Sequence, residues 1–299
     1  MSVWLPSAPC TPQGCATRSG APAGRIAATA RLVAGTSVVV AGVLLAPVVA
    51  LSAALLGPGI RDRLTRRWAR AVLRSFGIRV RIVGSPQPQR ASLVVANHIS
   101  WLDIPLVAAV LPGRMVAKSE VRRWPVLGPL AARGGTVFLE RDRLRALPAT
   151  VASMAAAMRG GSRLIVFPEG STWCGRDQGR FRPAAFQAAL DAGVAVQPVR
   201  IGYTPTGPAA FVGDDPLGAS LWRVVAAGGL TAEIRLLEPI LPGACADRRS
   251  LARAAQSRVA RSRTDQRSRA RLSANLPASS VHQRVSSMSA SASSLRTPS

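Results

Sequence analysis

The chain is poor in groups that titrate near neutral pH and poor in acids. Among 299 residues there are only two histidines, His98 and His282, so few side chains can carry a proton at pH 7. Its 14 Asp and Glu face 39 Lys and Arg, a formal net charge of +25. Lys118 is the only lysine and every other base is arginine. With the abundance of alanine, glycine and proline, this marks a genome-wide codon bias as well as a partner preference. A surface this basic is drawn to polyanions, either nucleic acid or anionic lipid. Aromatic residues are only 4%. The folded region lacks aromatics interleaved with bases and carries no recognisable nucleic-acid module, so nucleic acid is not an expected partner. A basic nucleic-acid-binding protein remains the alternative from another functional class. The four cysteines, Cys10, Cys15, Cys174 and Cys245, are scattered. Only Cys10 and Cys15 are close, at a spacing that matches no common zinc pattern. A disulfide framework is not expected in a chain this long, so these read as unpaired thiols and no metal site is expected.

What is present divides the chain into four parts. Residues 1–24 are rich in Pro, Ser, Gly and Ala without periodicity and read as disordered. They show no basic region ahead of an early apolar stretch, as a secretory signal would. Residues 33–60 carry no charge, and about 20 such residues suffice to cross a bilayer. With Pro47 in mid-run, residues 25–60 are expected as a membrane helix, kinked or folded as a hairpin entering one leaflet. Arg61, Arg63, Arg66, Arg67, Arg70 and Arg74 follow the run, against Arg18, Arg25 and Arg31 before it. The excess of arginine after the run places the rest of the chain on the cytoplasmic face of the cell membrane, with 61–74 against anionic headgroups. Residues 61–262 form the main domain. From 263 to 299 Ser, Arg and Ala dominate, which reads as a disordered basic tail.

Within 61–262 the pattern is α/β. Strands are expected at IRVRIVG, ASLVVAN, GGTVFLER, SRLIVFPEG, VAVQPVRIGY and TAEIRLLEPI, with helices over 102–111, 144–159, 183–192 and 247–262. The last of these has Leu251, Ala255 and Val259 on one face. Strands alternating with helices predict a mixed, largely parallel sheet flanked by helices. Ligands bind beyond the carboxyl ends of such strands, and His98, Arg141 and Glu169 all fall just after predicted strands.

His98 lies in VVANHISWLDIPL, five residues before Asp103. Positions five apart on an α-helix are separated by about 140° around the axis. The two side chains can therefore pair only if His98 lies in the turn before the helix. Pro105 fits that arrangement, being tolerated in a first turn. The carboxylate would then fix the imidazole tautomer and leave the other nitrogen as a base. The same aspartate also suits a capping role, because SWLD resembles a capping box. FPEGSTW is a turn with one acid at a strand end, a candidate binding loop. Arg141 in GGTVFLERDR is able to hold a phosphate or carboxylate with its planar fork, or to be one more surface arginine.

These residues, in this order, resemble the glycerophospholipid acyltransferase family over about residues 70–240. Its first motif, Asn-His, four residues and Asp, is met by Asn97, His98 and Asp103. Its second is met by Gly135, Val137, Phe138, Leu139 and Arg141, its third by Phe167, Pro168, Glu169 and Gly170, and its fourth by Val196, Pro198 and Val199. MVAKSEVRRWPVLGPL, with Lys118, resembles the segment between the first two motifs. The resemblance implies a membrane-associated O-acyltransferase with no cofactor. A fatty acyl group would pass from a coenzyme A or acyl carrier protein thioester to the hydroxyl of a lysophospholipid, first of all 1-acyl-sn-glycerol-3-phosphate, giving phosphatidate. It implies His98 as base and Asp103 as its partner. Asn97, Arg141 and the loop of Glu169, Gly170 and Ser171 would bind substrate. One departure matters. Where the family reads Thr-Arg-Ser after Glu-Gly, this chain reads Ser171, Thr172, Trp173. Arg176, Arg180 or Arg182 would have to supply the missing cation, or the acceptor is another lysolipid; a lyso-ornithine lipid is the alternative.

Overall fold

The structure, a computed structural model, describes residues 8–17, 22–56, 58–85, 91–124, 127–140 and 144–274. Arg141, His282 and the expected tail beyond residue 274 lie outside the described residues. The chain divides into two compact units, Met1–Val259 and Ala260–Ser299. The sheet and the residues expected to act all belong to the first unit.

Among the described residues, seven strands form its centre: β1 (Arg79–Val83), β2 (Ser92–Ala96), β3 (Arg114–Lys118), β4 (Val137–Leu139), β5 (Arg163–Val166), β6 (Ala195–Thr204) and β7 (Thr231–Leu236). Their order is β1-β7-β6-β2-β5-β3-β4. Every pairing is parallel except the antiparallel β6–β7, as expected of a mixed, largely parallel sheet. The central strand β2 is buried along its whole length. Val94 and Ala96 enter one core, and Leu93 and Val95 the other. That is why its sequence is an unbroken apolar run.

The α-helices among the described residues are α1 (Pro12–Cys15), α2 (Arg25–Leu56), α3 (Pro58–Ser75), α4 (Asp103–Ala108), α5 (Leu127–Arg133), α6 (Leu147–Arg159), α7 (Ala184–Ala192), α8 (Thr206–Ala209), α9 (Leu217–Ala226) and α10 (Arg248–Ala274). Residues of α3, α4 and α9 build the first core, and residues of α6, α7 and α10 the second. Leu251, Ala255 and Val259 are buried together, as their spacing predicts. Pro183 and Gly193 bound α7, the glycine in the left-handed conformation at φ 62°.

The apolar stretch expected over residues 25–60 is a single helix, α2, with Pro47 inside it, followed by the basic α3. The two pack side by side through glycines. A methyl group on Gly42 would collide with the Trp68 ring, and one on Gly35 with the ring of Phe76 just after α3. Both ends of this hairpin rest on the sheet domain. Ala23 N–H donates to the Ala226 carbonyl at 2.8 Å, and Arg31 donates to the carbonyls of Val225 and Ala227, each at 3.1 Å. At the other end, Leu73 and Phe76 join the first core.

Two boundaries differ from expectation. Residues 8–17 are not disordered. Thr11 caps the short α1, and Cys10 is buried against Cys174 and Val212. The basic stretch after 262 remains helical to Ala274, because Arg, Ala and Gln all favour helix even where no apolar face exists.

Candidate active site

β2 ends at Ala96 and α4 begins at Asp103, so His98 lies in the strand-to-helix turn. Asp103 is fully buried. Its Oδ2 accepts from the backbone N–H groups of Ile99 at 2.6 Å and Ser100 at 2.9 Å, and lies 2.8 Å from His98 Nδ1. Its Oδ1 accepts from the Tyr203 hydroxyl at 2.6 Å. One oxygen of this carboxylate thus both ties down the turn ahead of α4 and holds the imidazole. A carboxylate offers only acceptors, so Nδ1 carries the proton and Nε2 is the nitrogen left with a lone pair. The His98 side chain is 19% exposed. Its ring stacks on Phe167, with centroids 4.1 Å apart and planes 14° apart.

β5 delivers the second loop alongside. Gly170 turns it with φ 78°, a region glycine enters without strain. Glu169 is 3% exposed, and its Oε2 accepts from the His98 N–H at 3.1 Å. Trp173 N–H donates to the His98 carbonyl at 2.8 Å. The backbone of His98 is thus held on both sides by this loop. The Ser171 hydroxyl is buried without a hydrogen-bond partner among the described residues.

Burial pushes the Glu169 carboxyl up to about 8 from 4.5, and the Asp103 charge adds to it; N–H groups of His98 and Gly179 and the Arg200 charge pull the other way and lose. The folded state thus favours the protonated acid. The resulting contribution to stability is complete below pH 4.5 and is lost as pH rises through about 8. Glu169→Gln keeps the shape and stays neutral. Urea unfolding of the variant should show less loss of stability than the parent over that interval; identical pH profiles would contradict the assignment.

Tyr203 escaped the sequence reading. It is the only tyrosine in the chain, and it shares a face of β6 with Val199 and Ile201 in the first core. Burial, then the Asp103 charge, holds its hydroxyl well above the ordinary range, so it is a standing donor. Tyr203→Phe leaves Oδ1 of Asp103 buried without that donor. Losing a hydrogen bond to a charged group costs about 1.5–3 kcal/mol, measurable by urea unfolding; a variant as stable as the parent would refute this.

Asn97, expected to bind substrate, also braces the sheet. Its amide oxygen accepts from Ile201 N–H at 2.8 Å and its amide nitrogen donates to Ile201 O at 3.0 Å. With 5% exposure, it ties the end of β2 to β6. Since β6, β2 and β5 are neighbours, Tyr203, His98 and Glu169 converge at the carboxyl end of the sheet.

The acyltransferase family profile matches residues 78–202. A lyso-ornithine lipid O-acyltransferase of Pseudomonas aeruginosa is 40% identical over 208 residues, covering 67% of this chain and 78% of the relative. This chain belongs to the acyltransferase family. A 1-acyl-sn-glycerol-3-phosphate acyltransferase of Neisseria meningitidis is 36% identical over 183 residues, covering 59% of this chain and 71% of that one. The crystal structure of the 1-acyl-sn-glycerophosphate acyltransferase of Thermotoga maritima superposes with a TM-score of 0.64, covering 81% of this chain and 97% of that one, at 22% identity. The fold is therefore shared with that enzyme. Among the residues expected to act in this acyltransferase, His98 and Asp103, in the turn after β2 and at the start of α4, lie beside Glu169, Gly170 and Ser171 of the loop after β5.

Proposed function

We propose that this acyltransferase moves a fatty acyl group from a coenzyme A or acyl carrier protein thioester to the hydroxyl of a lyso-ornithine lipid. The observation that carries the reaction is the 2.8 Å contact of His98 Nδ1 with buried Asp103, which leaves Nε2 as base. Nε2 takes the proton as the acceptor oxygen attacks the thioester carbonyl. The C–S bond breaks, the departing thiolate takes that proton, and an ester remains. The cation formed on His98 in between is stabilised by Asp103. No acyl-enzyme is required. The Ser171 hydroxyl, without a partner among the described residues, is a further donor on the Glu169 loop.

Thr172 carries the choice of acceptor. A phosphate headgroup is best held by an arginine fork, and here that position is a threonine. An ornithine headgroup has no phosphate to satisfy. Two relatives named lyso-ornithine lipid O-acyltransferase, 40% and 37% identical, support the reading. The second reading, 1-acyl-sn-glycerol-3-phosphate, is favoured by Arg176, Arg180 and Arg182: the Arg182 N–H donates to Pro168 O at 2.8 Å, folding this arginine segment back on the Glu169 loop. Lipid analysis of cells with and without the gene separates the two. Accumulated lyso-ornithine lipid is expected; accumulated 1-acyl-sn-glycerol-3-phosphate alone would transfer the assignment to the second acceptor.

The same reading puts α2 into one leaflet of the cell membrane, with the basic α3 against its anionic headgroups on the cytoplasmic side. Within Arg25–Val49, an 18-residue stretch has a mean hydropathy of 2.3 and only 6% of it is buried. Ile26, Val33, Val40, Leu44, Val48 and Leu51 are all exposed, and their spacing sets them along one side of the helix. Because both ends of the hairpin rest on the sheet domain, the chain returns to the side it left.

A further inference from the structure

The three cysteines of the first unit that precede residue 175 meet on one side of the sheet domain. Cys10 precedes α1, Cys15 ends it, and Cys174 follows Trp173 on the Glu169 loop. Their sulfur atoms all lie within 4.8 Å of one another. All three are free thiols; Cys10 is 8% and Cys174 3% exposed, and Cys15 is half-buried. Val212, Ala8 and Trp173 pack around them. The sequence spacing concealed this group, because Cys10 and Cys15 form no metal motif by themselves.

We propose that Cys10, Cys15 and Cys174 form a three-thiolate site for a soft, thiophilic divalent cation such as Zn2+, stapling the N-terminal segment to the loop that holds His98. Three features of the geometry support it. Zn–S bonds of about 2.3 Å in tetrahedral array place sulfurs about 3.8 Å apart, so the cluster closes on a metal with shifts of about an ångström or less. A disulfide needs about 2.05 Å, a larger movement, and would leave the third thiol over. The segments bearing the thiols are also fastened independently. Thr11 Oγ1 accepts from Gly14 N–H at 3.3 Å, and Trp173 is tied to His98 O.

A divalent cation takes the place of the thiol protons: three thiols release three protons to solvent, three sulfur–metal bonds form, and a solvent molecule completes a tetrahedron. No electron is transferred. The staple joins Trp173, and through it the His98 carbonyl, to a segment that precedes the apolar hairpin.

The test uses the purified full chain, stripped with chelator and reductant and titrated with Co2+ alone. One Co2+ per chain is expected, with a thiolate-to-cobalt charge-transfer band and tetrahedral d–d bands, both lost when Zn2+ is added. Loading should raise the melting temperature. Cys174→Ser and Cys15→Ser should each weaken binding at least tenfold and remove the thermal shift. Cys15, half-buried at the end of α1, keeps the test decisive if Cys174→Ser fails to fold. Cys245→Ser should bind as the parent does. Binding unchanged in Cys15→Ser, a spectrum without the charge-transfer band, or alkylation showing two of the three thiols already joined as a disulfide would overturn the proposal.

Discussion

Replacing His98 with alanine should lower acyl transfer by about 10²–10⁴-fold, the usual contribution of a positioned general base, with little change in folding. The imidazole is partly exposed and meets the protein at Asp103 and at the Phe167 ring. The contacts that hold the turn are made by the backbone: the His98 N–H to Glu169, the His98 carbonyl from Trp173, and the amides of Ile99 and Ser100 to Asp103. None needs the imidazole. The side chain can therefore be removed without removing the site. Acyl transfer to the preferred lysolipid is measured beside urea unfolding of the same preparation. Turnover within a few-fold of the parent would remove His98 from the mechanism. A large loss of stability would mean that the Phe167 stack, and not the base, is what the variant lost.

The parts of this site that were legible in the sequence are those whose partners lie close along the chain. The five-residue spacing of His98 and Asp103 is incompatible with one helical face, so the two could pair only with His98 before the helix; Pro105 fitted that arrangement, and His98 lies there, ahead of α4. Glu169 was legible because an apolar strand ends just before it. Tyr203 was not: it meets Asp103 across 100 positions, and only the pairing of β6 with β2 brings it there. The bracing role of Asn97 was hidden for the same reason, since its partner, Ile201, is a backbone on that neighbouring strand. β3 was missed as a strand because RMVAK is half-buried throughout and shows neither alternation nor an unbroken apolar run. Cys174 joined Cys10 and Cys15 only through the packing of the N-terminal segment beside Val212. Local pattern thus marks the loops at His98 and Glu169, while the residues that brace them depend on strand order.

Asp103→Asn should cost both activity and stability, and the combination distinguishes it from His98→Ala. Asp103 is reached by four donors: Ile99 N–H, Ser100 N–H, His98 Nδ1 and the Tyr203 hydroxyl. An asparagine keeps one oxygen and replaces the other with an NH2 group that donates. If the NH2 group takes the Oδ2 position, it confronts two backbone N–H groups and the imidazole. If it takes the Oδ1 position, it confronts the Tyr203 hydroxyl, and a neutral amide oxygen holds the rest. Either way at least one charge-assisted hydrogen bond is lost in a site without exposure, at about 1.5–3 kcal/mol each. The stability loss should therefore equal or exceed that of Tyr203→Phe. Activity should fall by a further mechanism. Without the carboxylate the proton on Nδ1 loses its anionic acceptor, the other tautomer becomes accessible, and the imidazolium formed during transfer loses its counter-charge. A fall of about 10⁴-fold is what the corresponding change does to a Ser-His-Asp triad. Urea unfolding and acyl-transfer rates on His98→Ala, Tyr203→Phe and Asp103→Asn form one series. The expected order of stability is His98→Ala above Tyr203→Phe, with Asp103→Asn lowest or equal to it. The expected order of activity puts both His98→Ala and Asp103→Asn far below Tyr203→Phe. An Asp103→Asn enzyme that turns over normally while being destabilised would leave the aspartate as a cap alone, and His98 would then have to work without a partner.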